Sequence, residues 1–404
     1  MNFESLANQY KTPLYVYDFS RIRENFLAYQ KAFVGRKSLI CFALKANSNL
    51  CVISEIAKLE GGADCVSIGE VKRAILAGIK PYRIIFSGVG KCESEIQEAL
   101  KLGILFLNVE SEGELFMIER VAKELKKPAR ISLRINPDIN PKTHPYISTG
   151  LDENKFGITI QEAKRLYLYA HQSEFLNPIG IHCHIGSQLT ELEPILQAAE
   201  KMADFMRSLL ALGLEIRFFD MGGGLGICYQ NEKTIDLYDY AQGILKSLKE
   251  LDVTIICEPG RSIVGDAGYL VTRVLYEKKH KNKRFVIVDA GMNDLIRPSL
   301  YNAYHRVNFP HNESSHLSPA DVVGPICESG DFLAKNILLP DLKEGDLLVF
   351  ENSGAYGFTM SSNYNTRPRA AEVGIDGKKD FLIKNRESLE EMLKDELMLL
   401  ERNG

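Results

Sequence analysis

The sequence predicts an α/β fold, a (β/α)8 barrel followed by a C-terminal β-rich domain of barrel or sandwich type. Between residues 39 and 258 short β-type runs alternate with longer helical patterns, the order that parallel strands joined by helical crossovers impose. After Glu258 the helical patterns give way to consecutive β-rich stretches. With 404 residues, the chain also exceeds the usual size of one domain.

The expected barrel strands, in order, are "LICFALK" (39–45), "ADCVS" (63–67), "RIIFSG" (83–88), "LFLNV" (105–109), "ISLRIN" (131–136), "IGIHCHIG" (179–186), "IRFFDMG" (216–222) and "VTIICE" (253–258). Eight strands over roughly 220 residues match a (β/α)8 barrel, whose active sites gather at the C-terminal strand ends. The helical patterns between them carry the expected punctuation. "VISEIAKLEGG" and "GEVKRAILAGI" run into glycine, while "ESEIQEALKLG" and "EGELFMIERVAKELKK" have acids early and glycine or lysine late. The barrel is expected over 19–258 and the β domain over 259–404, built from "YLVTRVLYEKK", "RFVIVDAG", "DLLVFENSGAYG" and "AAEVGI" and closed by an amphipathic helix, "SLEEMLKDELMLLERN", packed on the surface. Residues 1–18 are expected to contribute a strand, "PLYVYD", to the β domain or the barrel's edge. The segment 136–157 reads as an ordered excursion above the barrel, because its prolines and glycines punctuate it densely.

Composition narrows the function. A formal charge of −4 gives no electrostatic reason to expect nucleic acid or an anionic membrane, so the expected partner is a small molecule. The N-terminus lacks a secretory signal, and no apolar run approaches the ~20 residues that span a bilayer. A cytoplasmic protein is expected. The 8 cysteines are scattered without CxxC spacing, which suits reduced thiols rather than disulfides or a metal site.

On this layout Lys45, Asp64, Arg134, His184 and Glu258 fall at or near strand ends and are expected to face one mouth. A lysine near an apolar wall and other cations has its pKa lowered, and the neutral amine attacks carbonyls. Taken alone, Lys45 is equally well read as a strand-end lysine with a solvated head. It is not alone. "DMGGGLG" follows strand seven, where Gly222, Gly223 and Gly224 would let backbone N–H groups approach a phosphate, and "CEPGR" follows strand eight with Gly260 and Arg261. An amine beside two such loops specifies pyridoxal 5'-phosphate. Glu258 would then face the pyridine nitrogen, His184 would stack on the ring with His182 in support, and Ser187 would donate to the phosphate. Asp64 and Arg134 would tune Lys45 and the ring oxygen, or form a buried structural ion pair.

Together "FALKAN", "HCHIGSQ", "DMGGGLG", "CEPGR", "GPICESGD" and "GAYG" resemble the alanine-racemase-type, fold III pyridoxal-phosphate decarboxylases, over about residues 11 to 372. The resemblance implies a barrel followed by a β domain, in a head-to-tail homodimer whose active sites are shared between subunits. It makes Lys45 the lysine that covalently holds the cofactor, and Tyr356 a further cofactor contact. It makes Cys327 the proton donor, reaching the neighbouring subunit's cofactor, and Glu328 the partner of the substrate's distal amine. Arg297 and Tyr301, in "MNDLIRPSLY", resemble distal-carboxylate contacts; Arg261 and Tyr356 would also face substrate. A distal amine needs only acids, whereas a distal amine plus carboxylate needs a cation as well. The expected reaction is therefore decarboxylation of meso-2,6-diaminopimelate to L-lysine, the last step of lysine biosynthesis. The alternatives are another fold III decarboxylase, acting on ornithine, arginine or carboxynorspermidine, an amino-acid racemase, or a non-catalytic pyridoxal-phosphate-binding homologue. Phe42 and Cys228 depart from the family's common tyrosine and proline, at positions that carry no chemistry.

Overall fold

This computed structural model describes residues 1–139, 155–281, 283–310 and 316–403, so most of the expected excursion at 136–157 lies outside the described residues. The chain divides into two compact units, one comprising Met1–Ile22, Tyr229–Asn231 and Val264–Gly404, the other Arg23–Cys228 and Glu232–Ile263. The division falls inside the helix Phe19–Ala32.

The first strand, β1 (Leu14–Asp18), belongs to the first unit. The next eight form the second unit: β2 (Ser38–Ala43), β3 (Gly62–Cys65), β4 (Ile84–Phe86), β5 (Phe106–Val109), β6 (Ala129–Arg134), β7 (Leu176–His182), β8 (Phe218–Asp220) and β9 (Thr254–Cys257). They close a parallel barrel in chain order, β9 pairing with β2 through Ser38↔Ile255 and Ile40↔Cys257. Each expected run overlaps one of these strands, β2, β3, β6 and β7 starting earlier than expected and most strands ending earlier: "LICFALK" stops at Ala43 and "IGIHCHIG" at His182. The shortening has a physical cause, because loops begin where the ladder yields to side chains bound for the mouth.

Parallel strands covered by helices are apolar on both faces. Cys41, Ile85, Leu105, Phe106, Ile179 and Ile256 accordingly form one buried cluster with Leu39 and Phe218 packed against it. Each fully buried Leu, Ile or Phe contributes roughly 1.5–3 kcal/mol, so this cluster rather than any polar pair closes the barrel. The helices outside start on side-chain caps. Ser67, Ser111 and Thr159 each accept from the N–H three residues on, at 3.2 Å in all three cases, beginning the helices Ile68–Leu76, Glu112–Leu125 and Ile160–Gln172.

The first unit contains β10 (Gly268–His280), β11 (Lys283–Val288), β12 (Val307–Asn308), β13 (Ser318–Val323), β14 (Phe332–Leu339), β15 (Leu347–Phe350), β16 (Ala371–Asp376) and β17 (Lys379–Lys384). With β1 they form a 9-stranded mixed sheet that is not closed, in the order β14-β13-β11-β10-β1-β16-β17 with β15 on β10 and β12 on β15. Here "PLYVYD" lies between β10, antiparallel, and β16, parallel. Leu14, Val16, Val271, Val349 and Val373 supply much of its core. The terminal helix forms over Leu389–Asn403, with Met392 and Leu393 half-buried but the apolar residues of its last turns exposed: Leu400 is 70% exposed. Four consecutive apolar residues, Leu397, Met398, Leu399 and Leu400, point around the whole helix and cannot share one buried face.

Candidate active site

Every barrel residue expected at the mouth occupies a strand end or the first turn beyond it. Lys45 sits in a single 3-10 turn, Leu44–Ala46, just past β2, so its side chain leaves the ladder. Its Nζ lies 3.2 Å from Oδ2 of Asp64, which β3 holds fully buried. Burial, then the nearby Glu258, raise the Asp64 carboxyl above its usual range, with Lys45 opposing them.

His184 stands two residues beyond β7. Its Nδ1 accepts the Gly223 N–H at 3.1 Å, so the ring is the Nε2–H tautomer. Burial, then the charges of Arg134 and Lys45, push its pKa well below the ordinary imidazole value. A neutral, flat ring of fixed orientation results. His182, on β7 itself, is buried, and its Nε2 lies 3.3 Å from Oε2 of Glu258. Burial alone would raise the Glu258 carboxyl, yet His182, Lys45 and His184 bring it down to about 2. It is an anion in a nearly solvent-free site.

The expected phosphate loops also meet. Arg261 Nη2 donates to Ser187 Oγ at 3.0 Å. Gly222 and Gly224 have φ of +63° and +114°, in the left-handed region that favours glycine. A Cβ at Gly223 would lie 2.1 Å from the Glu258 carbonyl oxygen, so only glycine lets the β8 loop pass beside β9. Gly260 packs similarly, its absent Cβ 3.0 Å from that of Ala46 in the Lys45 turn.

Arg134 pairs with Glu110, Nη1 donating to both carboxylate oxygens at 3.0 and 3.1 Å, and its guanidinium sits 4.7 Å over Phe156. Of the two expectations for Asp64 and Arg134, each has its own partner instead of the other: Lys45 for Asp64, Glu110 for Arg134. Glu110, Asp220 and Asn108 were not singled out in the sequence. Asp220 stood within a quoted motif, but nothing in spacing distinguishes it from a strand-end acid.

The remaining candidates lie in the first unit. Arg297 opens the short helix Arg297–Tyr301, is 6% exposed, and donates from Nη1 to Tyr229 Oη at 3.0 Å and to His305 Nε2 at 3.1 Å. His305 Nδ1–H in turn donates to the Glu351 carbonyl at 2.9 Å, which leaves Nε2 as the acceptor Arg297 needs. Tyr301 ends that helix, half-buried. The loop carrying Cys327 and Glu328 is pinned beside the loop that precedes Arg297, because Asp331 accepts the N–H groups of Met292 and Ile326 at 2.6 and 2.8 Å. Cys327 is exposed and its N–H donates to Asn365 Oδ1 at 2.8 Å, while Glu328 accepts the Gly330 N–H at 3.2 Å. Tyr356 adopts φ +58°, a conformation non-glycine residues adopt at a cost of about 1 kcal/mol or more.

Two features test the fit of a phosphorylated pyridine aldehyde. Asp64 Oδ1 and His182 Nδ1 are buried without a hydrogen-bond partner at the mouth, and the backbone at 222–224 closes to within van der Waals contact of β7 and β9 only because it lacks side chains. An amine, a flat neutral ring, a buried anion and a glycine–arginine cradle meet the needs of that group's aldehyde, ring face, ring nitrogen and phosphate. The class that this fold and mouth define is the barrel-type pyridoxal-phosphate enzymes. Residues 19–265 match the family model described as pyridoxal-dependent decarboxylase, pyridoxal binding domain. A diaminopimelate decarboxylase of Helicobacter pylori is 59% identical over 392 residues, 97% of each chain, and one of Campylobacter jejuni is 54% identical over 394 residues, 97% of this chain and 98% of its own. The crystal structure of the Helicobacter pylori enzyme complexed with L-lysine superposes with a TM-score of 0.95, covering 98% of this chain and 100% of that one at 59% identity. A lysine/ornithine decarboxylase of Vibrio vulnificus, at 22% identity and a TM-score of 0.81, shares the fold. The chain belongs to the diaminopimelate decarboxylase family of fold III pyridoxal-phosphate enzymes.

Proposed function

We propose that the cluster of Lys45, Asp64, His184 and Glu258 is where this protein carries out its reaction, the pyridoxal-phosphate-dependent decarboxylation of meso-2,6-diaminopimelate to L-lysine and carbon dioxide. The observation that carries this reading is the convergence at one barrel mouth of the Lys45 amine, 3.2 Å from Asp64, the buried Glu258, 3.3 Å from His182, and a His184 ring held by the Gly223 N–H at 3.1 Å. When bound, pyridoxal phosphate supplies the electron sink that accepts the pair left by the departing carboxylate.

The chain's own residues do the rest. Asp64, 3.2 Å from Lys45 Nζ, would hold that amine whenever it is not joined to the cofactor. Glu258, fixed by His182, keeps the ring nitrogen protonated. His184 offers its face to the ring and cannot turn, since Gly223 N–H holds Nδ1. Arg134 serves the ring oxygen from its anchorage on Glu110. Ser187, Arg261, Gly260 and the N–H groups of Gly222, Gly223 and Gly224 bind the phosphate, with Tyr356 beside it. Cys327, whose exposure supports a chemical rather than a packing role, holds the proton delivered to carbon. Arg297, with Tyr301, takes the distal carboxylate and Glu328 the distal amine; Arg261 and Tyr356 also face substrate. Preorganisation of these charges is the protein's main contribution to rate.

The working form is a homodimer in which each site combines one subunit's barrel with its partner's β domain. The protein acts in the cytoplasm, a reading supported by free thiols at all 8 cysteines; among the described residues, no helix is long and apolar enough to cross a membrane. The test is to incubate the purified protein with meso-diaminopimelate or ornithine and assay lysine, putrescine and CO2. Lysine and CO2 from the first substrate are expected; faster consumption of ornithine would overturn the substrate assignment.

A further inference from the structure

One buried acid beside Glu258 has no part in that scheme. Asp220 ends β8, is 1% exposed, and accepts the Gly222 N–H on Oδ1 at 2.8 Å, while Oδ2 is buried with no hydrogen-bond partner. His182, Asp220 and Glu258 each bring a polar atom within 4.8 Å of the other two. Two carboxylates so close in a dry site do not both ionise. Which one keeps the proton follows from their neighbours. Glu258 has His182 at 3.3 Å, Asn108 Nδ2 at 3.5 Å and the field of Lys45, whereas Asp220 has a single amide. Asp64, the other acid nearby, adds negative charge that disfavours a second anion further.

We propose that Asp220 is a positioning residue that stays protonated and, opposite His182, confines the negative charge of this cluster to Glu258, the group offered to the cofactor's ring nitrogen. This rests on the reading of Glu258 given above. Burial and the adjacent Glu258 both push the Asp220 carboxyl well above the carboxylate range, in agreement. A neutral acid here accepts from Gly222 on one oxygen and turns its O–H toward Glu258 with the other, so it links the glycine loop to the pyridine partner without adding charge.

The substitution Asp220→Asn reproduces that neutral donor–acceptor, whereas Asp220→Leu keeps the bulk and loses both. Full-length proteins are dialysed to equilibrium against pyridoxal phosphate, and the visible spectrum of the bound cofactor is recorded. The Asn variant is expected within about threefold of the wild-type Kd with an unchanged spectrum, and the Leu variant weaker by about tenfold or more. Equal impairment of both variants, or none in the Leu variant, overturns the proposal. Infrared difference spectra of the holoenzyme give an answer that does not depend on the Leu variant folding: a protonated-carboxyl C=O band present in the wild type and missing from Asp220→Asn is expected, and its absence from the wild type overturns the proposal. Glu258→Gln separates the two readings. An unaltered cofactor Kd and spectrum there would sink the role of Glu258, whatever the band at Asp220 shows.

Discussion

Single side chains set the character of the site, and those legible in the sequence were the ones whose chemistry makes them conspicuous at a strand end. Lys45, His184 and Glu258 stand at or near the ends of apolar runs, which pointed to the barrel mouth, although all three lie just beyond their strands. The Arg134–Glu110 and Asp220–Glu258 pairings were not legible, because they depend on the stagger of neighbouring strands. The same holds for Tyr229, which meets Arg297 from 68 residues away in the chain, whereas His305 is only 8 residues on. Arg297→Ala is expected to lower kcat/KM for diaminopimelate by about 10²-fold, the loss of a charge-assisted contact; an unchanged ratio would assign the distal carboxylate to another group. Glu70 makes a prediction about pH. Burial raises its carboxyl from 4.5 to about 7, opposed by its hydrogen bond from the Val66 N–H. The folded protein therefore keeps a proton that the unfolded chain has released, and stability falls as pH rises through this window. At ~1.36 kcal/mol per pH unit the loss approaches about 3 kcal/mol. Denaturant melts at pH 4.5 and 7.5 should show Glu70→Gln relieved of that loss; parallel pH profiles would refute it.

At the scale of the element, the barrel's strands and the order of its helices were readable from apolar runs and caps, but their ends were not. β2 and β7 stop two residues before Lys45 and His184, whereas Asp64 and Arg134 lie on β3 and β6 themselves. The glycine loop after β8 shows what such an end demands. Gly223→Ala would place a methyl 2.1 Å from the Glu258 carbonyl, so β8 and β9 must separate. A stability loss of about 2–3 kcal/mol is expected with weakened cofactor binding, measured by melts and equilibrium dialysis. Gly113, in the helix Glu112–Leu125, has open space where a Cβ would stand. Alanine there should stabilise by about 0.5–1 kcal/mol, through helix propensity, and leave cofactor affinity alone. If both alanines behave alike, close backbone approach is not what the glycine loop provides.

For the whole molecule, the two-part organisation was visible as a change of texture after Glu258, and a strand from residues 1–18 was expected, but the pairing order of the mixed sheet was not legible, since β1 joins β10 and β16 from the far end of the chain. The terminal helix was legible as a helix, while how much of its apolar surface is covered is a tertiary matter. The proposed sharing of sites between subunits makes a further prediction. Lys45→Ala and Cys327→Ala dimers, each inactive, should regain activity on mixing, up to about a quarter of wild-type sites, because exchange in a two-fold dimer creates one intact site per mixed pair. No recovery despite proven subunit exchange would place each site within one chain. The central claim is that Lys45 is the amine facing the cofactor aldehyde among groups brought together by the barrel. Its most direct test is borohydride reduction of the holoenzyme followed by peptide mass mapping. A pyridoxyl group on Lys45 is the predicted result; its attachment to any other lysine, or to none, would contradict the account.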